Sequence, residues 1–163
     1  MRTVGFADLR KLMEPPVEEH ELGCHIAMVR FSIPISEEDK LIQTAKSLWN
    51  KMYVAGKRGD LYFFSQLSTM IVKMSFLLQR FRLANSALSY IGPLKIKKNY
   101  GPIEVLDIKT YITNNKLGPS LTVFGKYLFG RIGLDINYLS TELKEEEVLE
   151  IIEHIKVLLK DIA

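Results

Sequence analysis

Between residues 36 and 83 two apolar repeats of helical period follow one another, and on either side the period drops to two. This succession constrains the fold more than any other feature. A period of 3.6 buries one stripe of a helix, whereas a period of two buries one face of a strand. The first repeat runs through Leu41, Ile42, Ala45, Leu48, Trp49 and Met52. Ser36 stands ahead of it as an N-cap, and Glu37, Glu38 and Asp39 suit the positive end of the helix dipole. Gly56 and Gly59 punctuate its end. The second repeat spans Asp60 to Leu83, with Phe63, Phe64, Leu67, Met70, Ile71, Met74, Leu77, Leu78 and Phe81 as its stripe.

Upstream, residues 3–10 read as a short strand leading into Arg10, and Pro15-Pro16 forces an extended connection. From Cys24 to Ile33 the pattern alternates: His25, Ala27, Val29, Phe31 and Ile33 share one face, Arg30 and Ser32 the other. Downstream, residues 86–91 and 93–97 read as strands around Gly92-Pro93, and residues 103–112 alternate as well. Asn114-Asn115 and Gly118-Pro119 mark a turn. Residues 120–124 and 127–139 then read as a hairpin about Gly125-Lys126. In its second strand Ile132, Leu134, Ile136 and Tyr138 oppose Arg131, Gly133, Asp135 and Asn137. A last helix starts near Thr141 and carries Val148, Ile151, Ile152, Ile155, Leu158, Leu159 and Ile162. The order predicts an α+β layer fold with a mixed or antiparallel sheet, in one domain or lobe over residues 1–163.

Composition narrows the function classes. Apolar residues make up 47% and charged residues 25%, which is ordinary for a globular chain. The net charge of +3 comes mostly from Arg80 and Arg82 and from Lys95, Lys97 and Lys98. No zinc finger, helix-turn-helix or RNA-recognition signature accompanies it, so a nucleic-acid partner is not expected. The most apolar stretch, Leu61 to Leu83, is broken by Gln66, Lys73, Gln79, Arg80 and Arg82, so no membrane span is expected. The first residues lack the apolar run of a signal peptide, and the single cysteine forms no internal disulfide, which together suit a cytoplasmic setting.

Several motifs recur in a familiar order. Asp8-Leu9-Arg10, then Pro15-Pro16, then Gly23 before a strand are followed by two helices and by Ala87-Leu88-Ser89-Tyr90-Ile91-Gly92. Asn99-Tyr100-Gly101-Pro102 keeps the aromatic-Gly core of an Asp-Phe-Gly-Trp-Gly motif, and residues 127–162 close the chain with a strand and a helix. In this order the chain resembles the C-terminal half of the chloramphenicol acetyltransferase-like superfamily, the condensation-domain and plant BAHD acyltransferases. The resemblance implies a two-layer sandwich with helices packed on one face of the sheet. It also implies acyl transfer to a hydroxyl or amine, with a coenzyme A thioester or carrier-bound acyl group as co-substrate and no tightly bound cofactor. Full-length members carry His-His-x-x-x-Asp-Gly in a preceding lobe, where the second His is the general base. This chain has no such motif. The resemblance therefore implies a lobe inactive alone that meets a catalytic N-terminal lobe, or else an interaction or dimerisation module that associates with itself.

The same resemblance singles out Ser89 and Tyr90 as substrate-binding residues on a strand lining the cleft between lobes. A Ser hydroxyl there would donate to a substrate carbonyl or oxyanion. Lys95, Lys97 and Lys98 are a candidate phosphate contact, with a solvated loop as the plainer reading. No residue of this chain is expected to be catalytic. His25 reads as a core or interface histidine, His20 as solvated and His154 as helix packing. Cys24 reads as a buried thiol at a strand start. No histidine pair has metal-ligand spacing, so no metal site is expected. Arg10 suggests a structural ion pair whose partner the sequence does not name.

Overall fold

A computed structural model describes residues 2–18, 20–23, 25–34, 41–78, 84–112 and 118–160. The expectations on Cys24, Ser36, residues 37–39, residues 79–83, Asn114-Asn115 and Ile162 lie outside the described residues. The elements are β1 (Arg2–Asp8), a 3-10 turn (Arg10–Leu12), β2 (Ile26–Ser32), α1 (Leu41–Lys57) and α2 (Asp60–Leu78). They are followed by β3 (Ser86–Pro93), β4 (Asn99–Tyr100), β5 (Ile103–Glu104), β6 (Leu121–Leu128), β7 (Arg131–Tyr138) and α3 (Glu145–Lys160). Five strands form one sheet in the order β2-β1-β3-β6-β7. The outer pairs β1–β2 and β6–β7 are antiparallel, and β3 pairs parallel with both β1 and β6. Parallel neighbours need a long crossover. Here α1 and α2 supply the first, and residues 94–120, with the β4–β5 hairpin, supply the second. The α+β class and the mixed sheet are as the periodicities predict.

Alternation along β2 decides where the core lies. Ala27, Val29, Phe31 and the following Ile33 are buried against Ala55 of α1 and Leu61 of α2, with Leu48 and Met52 packed around them. Register puts Gly5 of β1 beside Val29. A Cβ at Gly5 would sit 3.0 Å from the Phe31 ring and 3.3 Å from Met52, so this glycine lets both side chains close over β1. The other sheet face holds a smaller cluster of Val4, Ala84 and Ala87, flanked by Phe6 and Met28.

Three local expectations are corrected. The β6–β7 turn falls at Phe129-Gly130, and β6 runs straight through Gly125-Lys126. Both turn residues have positive φ, 48° and 80°, as the right-handed twist of a two-residue hairpin demands. Phenylalanine rarely takes that conformation, which hid the turn. Residues 86–93 form one strand, because Gly92 at φ 84° absorbs a register shift without ending it, and residues 94–97 are not strand. Of residues 103–112, only Ile103 and Glu104 pair as strand.

The second helix departs from its expected burial. Leu77 is 82% exposed, and Phe63, Met70 and Met74 are also exposed. A helix apolar around much of its circumference needs cover on more than one side. In this chain α2 packs on β2 and α1.

Phe31→Ala should cost about 3–5 kcal/mol in urea unfolding, because Phe31 fills the space between Gly5 and the helices. Trp49→Ala, at a side chain that is 70% exposed, should change stability by less than about 0.5 kcal/mol.

Candidate functional site

The two residues that the sequence pairs, Ser89 and Tyr90, lie next to one another on β3 and so point to opposite faces of the sheet. They do not share a pocket. Ser89 pairs across the ladder with Phe124, on the face away from α1 and α2, and is half-buried. Tyr90 is on the helix-bearing face and 66% exposed.

Tyr90 belongs instead to an apolar strip. Its ladder neighbour is Gly125 on β6, whose own neighbour is Leu134 on β7. A Cβ at Gly125 would lie 3.3 Å from the Tyr90 ring and 3.8 Å from Leu134, so both side chains lean over the bare glycine. Leu88 precedes Tyr90 on the same face, and Tyr127 pairs with Ile132 one step further along. All five side chains are exposed, Ile132 to 73%. The strip continues into a cavity of about 700 Å³, lined by Ile132, Leu134 and Ile136 of β7 and by Ile152, Ile155 and Leu159 of α3. That volume falls within the range of small-molecule sites. Residues 109–111 form another part of its wall.

What holds that wall in place is a buried ion cluster on the opposite face of the hairpin. The side chain of Lys126 is 4% exposed and that of Asp135 is 8% exposed. The Lys126 ammonium donates to both Asp135 oxygens, at 3.2 and 3.0 Å, and to the carbonyl of Ile108. It also pairs with Asp107 at 3.0 Å. Asp135 Oδ2 accepts the Thr110 N–H at 2.9 Å. Asn137 accepts the Ile112 N–H at 3.4 Å and donates to the Thr110 carbonyl at 3.1 Å. Side chains of β7 thus supply the bonds that a neighbouring strand would give, and residues 107–112 stay ordered without a ladder. Lys126 reaches its partners by lying across Gly133, where a Cβ would come within 2.7 Å of its Cε.

The electrostatics agree with a clamp. Burial by itself would lower the Lys126 pKa, but the hydrogen bonds it donates to Asp135 and Asp107 outweigh burial and raise the value. Hydrogen bonds from Lys109 first, then from Lys126 and the Ile108 N–H, hold Asp107 far below the usual carboxylate range. A lysine that is protonated and fully bonded serves neither as base nor as nucleophile. Its work is to position the segment that walls the cavity. The alternation predicted from sequence groups Asp135 and Asn137 on one face with Arg131 and Gly133, but does not join them to Lys126. The available signal was a lysine and an aspartate on like faces of two adjacent strands.

The remaining candidates scatter. Arg10 pairs with Asp8 in the same chain, at 3.2 Å. Lys98 is taken by Glu104 at 2.8 Å, while Lys95 and Lys97 are exposed in the connecting segment. His25 lines a separate recess with Leu9, Met13 and Tyr62. His20 and His154 are exposed. Among the described residues no cluster of His, Cys, Asp or Glu is arranged to hold a metal, and no helix is long and apolar enough to cross a membrane. No family model matches the chain, and no curated protein or solved structure does either.

Two tests follow from the clamp. Asp135→Ala strands the Lys126 charge and should cost about 3–5 kcal/mol in urea unfolding. The pH dependence has a definite sign. Asp107 has a lowered pKa, so its pairing contributes fully above its ordinary 3.8 and is lost as pH falls through the lower value. Lys126 has a raised pKa, so its contribution is complete below the ordinary 10.5 and fades only once pH passes the raised value. Protection factors of the Thr110 and Ile112 amides should therefore be flat across neutral pH and drop below about pH 3.

Proposed function

We propose that this chain is the C-terminal, non-catalytic lobe of a coenzyme A- or carrier-dependent acyltransferase of the chloramphenicol acetyltransferase-like kind. In this reading it is inactive alone and works against a second lobe that carries the catalytic histidine motif. The observation that carries the reading is the uncovered apolar strip of Leu88, Tyr90, Tyr127, Ile132 and Leu134, continuous with the cavity under α3. Contiguous exposed apolar surface of this kind marks a place where a macromolecule or ligand docks. The exposed Phe63, Met70, Met74 and Leu77 of α2 support the same reading.

In the assembled enzyme Tyr90 contributes to the docking surface, and the acyl donor lies across the sheet from it. Ser89, on the other face, offers its hydroxyl to the carbonyl oxygen as charge develops on it. A preorganised donor in that role is worth about 3 kcal/mol. Acyl transfer then needs the base of the other lobe, which takes the proton from the attacking hydroxyl or amine and passes it to the thiolate that leaves as the carbon–sulfur bond breaks. The same strip also fits a non-catalytic module that associates with itself, since an apolar surface serves a second copy as readily as a foreign lobe.

Co-expression with a separate lobe bearing His-His-x-x-x-Asp-Gly should give a complex that transfers acyl groups from coenzyme A thioesters. Ser89→Ala should lower kcat about 100-fold with the complex intact. Tyr90→Ala combined with Ile132→Ser should weaken association instead. Sedimentation of the chain alone separates the two readings. A concentration-dependent dimer abolished by the same double substitution would favour the self-associating module, and a clean monomer that ignores every such lobe would defeat both.

A further inference from the structure

The two edges of the sheet are treated differently. At β7 the chain bonds its own segment 108–112 onto the strand's side chains. At β2 no described strand pairs along the outer side, so a row of backbone N–H and C=O groups is left facing outward. Beside this free edge lies α1, and the two enclose an open groove of about 710 Å³. Val29, Phe31, Val54 and Ala55 line its apolar part.

Its charge is lopsided. Among the described residues, Arg30, Lys46, Lys51 and Arg58 line the groove with the acid Asp60. Lys51 is engaged, donating to the Ser32 carbonyl at 2.7 Å. Arg30, Lys46 and Arg58 are exposed and make no ion pair among the described residues. A free strand beside a helix, with room between them, is the geometry by which a sheet accepts an extended peptide. The peptide backbone pairs with the edge, and alternate side chains enter the groove. Positive charge along the edge repels a second copy of the same edge, and it attracts carboxylates.

We infer that the β2–α1 groove binds an extended acidic segment of a partner protein, added to the sheet as a strand beside β2. This site lies at the β2 edge, two strands from β3, and stands whether or not the acyltransferase reading holds.

The probe is a fluorescein-labelled peptide of alternating Glu and Val, titrated by fluorescence anisotropy at low salt. Binding should saturate, and amide shifts in NMR should fall on β2 and α1. The triple variant Arg30→Glu, Lys46→Glu, Arg58→Glu should weaken binding at least tenfold with an unchanged circular dichroism spectrum, because all three side chains are solvent-exposed and make no ion pair among the described residues. Two further peptides carry backbone N-methyl groups on odd or on even residues. Only one of the two registers should bind, since alternate N–H groups face the edge. The inference is overturned by non-saturable binding or by shifts that map elsewhere. It is equally overturned if both methylated peptides and a single-stranded oligonucleotide bind as well as the parent, which would mark the groove as a plain polyanion surface.

Discussion

The buried ammonium of Lys126 is the interaction on which the second half of this molecule depends. Four oxygens converge on it, from Asp135, Asp107 and the Ile108 carbonyl. Removing a charge from water is expensive unless it is fully bonded, and here it is. The outcome is architectural. A segment with no ladder of its own is fastened to β7, and one wall of the cavity under α3 becomes fixed. The first half of the chain is held by a different force. There Phe31, Val29 and Ala27 bury apolar area against α1 and α2, and the bare backbone of Gly5 admits the Phe31 ring.

Much of the fold was legible in the sequence, and the reasons for the exceptions are physical. β2 and α1 declared themselves because each buries one face, which leaves a clean period. The hairpin turn was misplaced because Gly125 resembles a turn glycine, whereas its role is to pass under Tyr90 and Leu134. Residues 105–112 alternate like a strand yet are held by side chains, and alternation cannot tell a ladder from such a clamp. α2 read as a buried helix because its apolar residues assume cover on more sides than β2 and α1 give among the described residues.

The candidate site was legible to a lesser degree. Tyr90 was singled out as half of a pair with Ser89, which the pleat of β3 divides between two faces. The Lys126 cluster was missed because its members are joined only by the β6–β7 register and by a loop that returns to it. The groove beside β2 left no trace in the pattern, since Arg30 on a strand and Lys46 on a helix each look like ordinary solvated charges. Only the sheet order shows that they border a free edge.

Gly133 carries a consequence for how this sequence can drift. Its missing side chain is the space through which the Lys126 stem passes, with 2.7 Å between a would-be Cβ and the lysine Cε. Any larger residue at 133 would push the lysine from its carboxylates, and a chain that lost the lysine would have no further need of the glycine. Positions 126, 133 and 135 are therefore physically coupled. Related chains should keep all three or replace all three together, and a lone change at any one of them should be rare.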